Sequence, residues 1–186
     1  GSKDLLDILV ADLFEKAIKQ QTFCEHYARL ALDLNSSDTF KDKLTPILIN
    51  YCKDLYKKNE KLFYDDEGDY DDFCEYLSRK KKFIGNFQFM GELYKLSLIS
   101  VTIIENFFNL LLKDIKSDSE MRESYSECMC KLLSVIGNKL EEQYSTKLVF
   151  YNKYLKQIKE FSTNKEMFKP RIRFLFMDCL ERKKWL

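Results

Sequence analysis

Glycine and proline are scarce in this chain, five and two among 186 residues. Sandwiches and barrels of many short strands need frequent turn residues, so that class is excluded and long helices are favoured. Histidine and tryptophan occur once each, as His26 and Trp185. A Ser-His-Asp or Cys-His site needs its histidine beside a nucleophile and an orienting group. Cys24 stands two positions from His26, about 160° away on a helix, so no such site is legible. No apolar run approaches the roughly 20 residues of a membrane span, and no glycine-rich phosphate loop is present. Charge is nearly balanced, 31 basic against 30 acidic residues, so no global field marks a nucleic-acid binder.

What is present is apolar residue at helical spacing. Leu6, Leu9, Val10, Leu13 and Ala17 fall on one face of a first helix. Thr22 is predicted to cap a second, with Phe23, Tyr27, Leu30, Ala31 and Leu34 as its stripe, broken at Asn35-Ser36-Ser37-Asp38. Thr45-Pro46 reads as the N-cap and first position of a third; a start near Asp38 with a kink at Pro46 is the alternative. A fourth helix is predicted from about Phe73 to Leu96, and Ser100 caps a fifth bearing Ile104, Phe107, Phe108, Leu111 and Ile115. Tyr125, Cys128, Met129, Leu132 and Ile136 mark a sixth, ended by Gly137-Asn138. Leu148, Tyr151, Leu155 and Ile158 mark a seventh; Ile172, Leu175, Phe176 and Cys179 mark the last, with Phe174 and Met177 opposite. Eight helices with short connections predict an all-α domain of stacked antiparallel pairs over residues 3–186, Gly1-Ser2 reading as a cloning scar. Within the fourth helix, Gly85 and Gly91 interrupt a bulky apolar segment. Glycine there costs roughly 1 kcal/mol relative to alanine, which predicts a close approach by another backbone, with Gly91 at a helix contact.

Residues 65–72 carry six carboxylates and read as a solvated surface loop; Gly68 comes too early for an EF-hand. The six cysteines lie mostly on apolar helical positions and read as free thiols in a reducing compartment. Cys128 and Cys130 diverge on a helix and cannot chelate together. No metal or cofactor site is predicted. Two basic clusters stand out: Arg79, Lys80, Lys81 and Lys82, and Lys169, Arg171, Arg173, Arg182, Lys183 and Lys184. Residues 165–184 hold seven bases and three acids, a local net of +4. Each cluster is either a solvated helix face or a phosphate-contacting patch. Phe83 and Trp185 read as structural.

Four blocks in order carry a family resemblance. They are Phe14-Glu15-Lys16-Ala17 with Phe23 and Tyr27-Ala28; Gly85-Asn86-Phe87-Gln88-Phe89-Met90-Gly91-Glu92-Leu93-Tyr94-Lys95-Leu96; Glu123 to Leu133 through Ile136-Gly137; and Arg171-Ile172-Arg173-Phe174 with Asp178 and Trp185. Together they resemble the middle domain of eukaryotic translation initiation factor 4-gamma over nearly the whole chain. The resemblance implies a crescent of HEAT-type helix pairs that does no chemistry. It implies a cytoplasmic scaffold that binds a DEAD-box RNA helicase (the 4A subunit of the cap-binding complex), RNA and other initiation factors, with no membrane. Holding the helicase lobes half-open would speed its ATP cycle.

The helicase contacts implied at the two ends are Gln20, Gln21, Thr22 and Phe23, and Arg173 and Arg182. RNA contact is implied for Arg79 to Lys82, Lys169, Arg171, Lys183 and Lys184. Two departures are visible: the family's opening helix is missing before Lys3, so the first repeat reads as incomplete, and its acidic turn is replaced by Gln20-Gln21-Thr22. A related adaptor of messenger RNA decay or splicing, with the same fold and another partner, is the alternative.

Overall fold

The computed structural model describes residues 2–58, 64, 67–144 and 149–182. Among them are eight α-helices, one short 3-10 turn and no strand. The chain divides into two compact units, Gly1–Val101 and Thr102–Leu186.

The first unit contains α1 (Ser2–Lys19), a 3-10 turn (Gln21–Phe23), α2 (Cys24–Ser36), α3 (Leu44–Lys58) and α4 (Tyr70–Lys95). Most of the predicted face of α1 is buried: Leu6, Val10, Leu13 and Ala17 are in the core, joined by Phe14 and Ile18, while predicted Leu9 is half-buried at its edge. These pack against α4, whose buried segment runs through Phe83, Phe87, Phe89, Met90, Leu93 and Tyr94. Gly85 meets the α1 backbone at Ile18. Gly91 is buried as predicted, but the close backbone approach belongs to Gly85.

Expectations for four of the helices are corrected. Thr22 does not cap α2; it lies inside the 3-10 turn, and the helix starts at Cys24. The buried face of α2 is Cys24, Ala28 and Ala31, while Phe23 and Leu30 are exposed. Small side chains let α2 approach its neighbours closely, so the bulky residues are displaced to the rim. Thr45 is not the N-cap of α3. Turn hydrogen bonds from Lys43 and Leu44 to the Phe40 carbonyl have already closed the first turn, and the Thr45 hydroxyl donates to Asn35 Oδ1 at 3.2 Å.

The third correction extends α4 by three residues into the predicted acidic loop. Asp69 accepts from the Asp72 amide at 2.9 Å and Asp72 accepts from the Asp69 amide at 3.3 Å, a capping box. Asp71 and Asp72 then sit in the first turn, where the helix dipole favours them. Asp65 and Asp66 lie outside the described residues. At the other end Ser97 adopts φ 62°, and the Leu98 amide reaches back to the Leu93 carbonyl at 3.0 Å, a Schellman closure.

The second unit contains α5 (Val101–Ser117), α6 (Arg122–Tyr144), α7 (Val149–Thr163) and α8 (Pro170–Arg182). The predicted stripes of α5 and α6 are buried in full. The fourth correction is that α6 passes through Gly137-Asn138 without ending, since Gly137 keeps helical φ and Leu140 is fully buried one turn on. Tyr154, Ile158 and Phe161 form the buried face of α7, while predicted Leu155 is half-buried; predicted Leu148 and the side chain of predicted Tyr151 lie outside the described residues. Tyr154 stacks on Phe108 with centroids 4.7 Å apart and donates to Asn109 Oδ1 at 2.8 Å. Phe161, Phe168 and Phe176 join α7 to α8.

Candidate functional site

In the first unit the turn Gln20–Phe23 and the basic stretch 79–82 are neighbours, which the sequence did not reveal. Gln21 Nε2 donates to the Lys81 carbonyl at 2.8 Å, and Gln88 Nε2 donates to the Gln21 carbonyl at 3.1 Å. Tyr27 donates its hydroxyl to Gln20 Oε1 at 2.8 Å. The turn is thereby fixed on α4, and it presents Thr22 and Phe23 to solvent. Phe23, 54% exposed, packs edge-on against the His26 ring, 6.1 Å between centroids.

The four bases beside it are not equivalent. Arg79 pairs with Glu75 at 2.9 Å, and Lys82 pairs with Glu15 at 3.2 Å. Lys80 sits over the Tyr76 ring at 5.7 Å, and Lys81 is exposed. Glu15 also binds Lys19 at 2.7 Å. Its carboxyl is held below the usual glutamate range, chiefly by the Lys19 hydrogen bond and then by Lys82, against the raising effect of burial. Phe83 is buried, so its structural reading stands.

Arg79 and Lys82 also border an open cleft of about 720 Å³ between α1, α3 and α4. Ile8, Phe14, Tyr51 and Leu55 line it. Phe14 and Tyr51 stack there at 5.4 Å. The cleft was missed because Ile8 falls off the core stripe of α1; that displacement, with exposed Leu5 beside it, was the available signal.

In the second unit α8 offers the other surface. Lys169 pairs with Glu123 at 3.2 Å, and Arg171 reaches both Glu123 and Glu127 on α6. The Glu127 hydrogen bond is the main reason the Arg171 guanidinium is held still more firmly protonated. Two of the predicted RNA-contacting bases therefore help tie α8 to α6. Arg173 is half-buried, its Nε enclosed without a hydrogen-bond partner, and Phe174 beside it is 61% exposed. The side chain of Arg182, and all of Lys183, Lys184 and Trp185, lie outside the described residues.

Cys24, Cys52, Cys128 and Cys130 are buried, Cys179 is half-buried and Cys74 is exposed, and none of the six is in a disulfide. Burial pushes the Cys52 thiol up to about 12. His26 is exposed. No described helix is long and apolar enough to cross a membrane, and no described group of three His, Cys, Asp or Glu residues is arranged to hold a metal.

Known proteins resemble this chain along most of its length. The MIF4G domain family profile matches residues 2–184. Eukaryotic translation initiation factor 4G of Triticum aestivum is 26% identical over 196 residues, covering 95% of this chain and 12% of that protein. Eukaryotic translation initiation factor 4 gamma 1 of Mus musculus is 27% identical over 205 residues, covering 96% of this chain and 12% of its own length. The factor 4G of Arabidopsis thaliana is 24% identical over 192 residues, covering 95% and 11%. The chain thus spans about a tenth of the curated relatives it matches.

Proposed function

The chain belongs to the MIF4G domain family, whose helical HEAT-like fold it shares, and from that premise we propose that it is a non-catalytic scaffold domain of translation initiation. It acts in the cytoplasm as one domain over residues 3–186, binding and stimulating a DEAD-box RNA helicase of the 4A type and contacting RNA. The observation that carries this reading is the family match, which continues through both units and is shared with translation initiation factors of plants and mammals.

The geometry supports separate roles for the two surfaces. A scaffold that speeds ATP turnover must favour one arrangement of the helicase lobes over others, since a ligand shifts an equilibrium only by differential affinity. Two contacts serve that end. One is the hydrogen-bonded turn Gln20–Phe23; the other is the part of α8 bearing Arg173 and Arg182. Exposed Phe23 and Phe174 provide apolar anchors beside polar groups, the composition of an energetic centre in an interface. RNA meets Lys80 and Lys81 in the first unit, and Lys169, Arg171, Lys183 and Lys184 in the second, through phosphate contacts. Arg79 and Lys82, engaged with Glu75 and Glu15, contribute less.

The test is stimulation of the cognate helicase's ATPase by this chain. Phe23→Ala weakens binding, and Arg173→Glu lowers stimulation more than binding, because the other contact still holds the complex. A chain that leaves the helicase unbound and unstimulated, yet captures a decay or splicing partner, overturns the translation reading.

A further inference from the structure

Helices α6 and α8 hold two thiols in contact. Cys130 on α6 is 3% exposed, and Cys179 on α8 is half-buried. Cys179 Sγ donates to the Cys130 carbonyl at 3.8 Å, and the two thiols are hydrogen-bonded to each other. We infer that Cys130 and Cys179 are an oxidisable dithiol, a disulfide site that joins α6 to α8 when a hydroperoxide reaches Cys179. This goes beyond the scaffold reading and does not depend on it.

Three features point the same way. Two thiols on helices that pack together, with the Cys179 sulfur 3.8 Å from the Cys130 carbonyl oxygen, are near neighbours, the first condition for a disulfide. Their exposures differ, so the half-buried sulfur meets the oxidant first and the buried one resolves it. The hydrogen bond to Cys179, and then burial, hold the Cys130 thiol well above its usual range, so Cys130 keeps its proton and donates to the Cys179 sulfur. Glu127 and Cys128 further oppose ionisation of Cys130, and Glu127 is itself paired with Arg171.

The chemistry closes without a further reagent. The Cys179 thiolate attacks the peroxide; an S–O bond forms, the O–O bond breaks, and hydroxide leaves to take up a proton. The Cys130 sulfur then attacks the sulfenic sulfur; the S–S bond forms, the S–O bond breaks, and the Cys130 proton leaves with hydroxide as water. In sum two thiols lose two electrons and hydrogen peroxide becomes two waters. The bridge closes a loop that contains all of α7, which restrains the unfolded chain.

The whole chain is treated with hydrogen peroxide in modest excess and mapped by mass spectrometry without reduction. A cross-linked peptide pair containing Cys130 and Cys179, lighter by two hydrogens, is expected. The Tm should rise by about 5 °C or more, and dithiothreitol should reverse both changes. Cys179→Ser and Cys130→Ala abolish the cross-link, whereas Cys74→Ser retains it. In Cys130→Ala the sulfenic acid persists and dimedone labels Cys179. The assignment is overturned if wild type forms no such pair while Cys179 proceeds to sulfinic acid, or if Cys179 bridges Cys128 instead. Wild-type mapping decides the matter even where a variant folds poorly.

Discussion

A Cβ placed on Gly85 would lie 2.2 Å from the carbonyl oxygen of Ile18. Such a separation is far inside van der Waals distance, and its other member is backbone, which cannot swing aside as a side chain would. Gly85→Ala should therefore force α1 and α4 apart and destabilise the first unit by about 3 kcal/mol. Gly91→Leu, in a buried setting without that backbone neighbour, should cost about 1–3 kcal/mol. Urea unfolding of both variants checks the order; a wild-type midpoint for Gly85→Ala would contradict the close approach.

The capping box at Asp69 sets the start of α4. Asp69→Ala removes the acceptor of the Asp72 amide bond and should cost about 1 kcal/mol. Hydrogen exchange should show the loss of protection concentrated in the amides following Tyr70, with little change near Phe87.

Glu15 links α1 to α4 through Lys82 and also binds Lys19. Its folded carboxyl lies below the ordinary range, while the unfolded value is about 4.3. The stabilisation is thus complete above the unfolded value and fades as pH falls through the lower folded one. Wild type and Glu15→Gln should differ in Tm at pH 7 and converge toward pH 3. The size of the effect is small because the carboxylate is nearly half exposed. A gap that widened on acidification would refute the assignment.

If RNA meets Lys80 and Lys81 on α4, Lys80→Glu with Lys81→Glu should weaken single-stranded RNA of every sequence alike. The dependence of log affinity on log salt should flatten by about 0.7 for each phosphate that is no longer neutralised. Adding Lys82→Glu should change binding less, because Lys82 is engaged with Glu15, while destabilising the fold through like-charge repulsion. Unchanged affinity in the double variant would return the stretch to a solvated helix face.

The helical class, the core stripes of α1, α5 and α6, and the family were legible from residues alone. Leu6 to Ala17 repeats at helical spacing along most of α1, and amphipathic periodicity is a local property that survives any arrangement of the helices. The misplaced boundaries share one cause. Thr22, Thr45 and Gly137-Asn138 carry the chemistry of caps, yet each lies where neighbouring hydrogen bonds or burial chose another position. The stripe assigned to α2 failed for a related reason, since counting bulk favoured Phe23 and Leu30 over the alanines that permit close packing.

Sequence by itself determined how many helices form, which bulky residues are buried in α5 and α6, and that charges gather at 79–82 and 165–184. Which of those charges face outward was decided by tertiary structure. Glu75 is one turn from Arg79, but Glu15 reaches Lys82 from another helix, and Glu123 and Glu127 reach Arg171 across α6 and α8. The same holds for the union of Gln21 with Lys81 and for the meeting of Cys130 with Cys179. Such pairs are far apart along the chain. A periodic pattern records which face of a helix is buried, whereas the partner opposite each residue is fixed only when helices settle into each other's grooves.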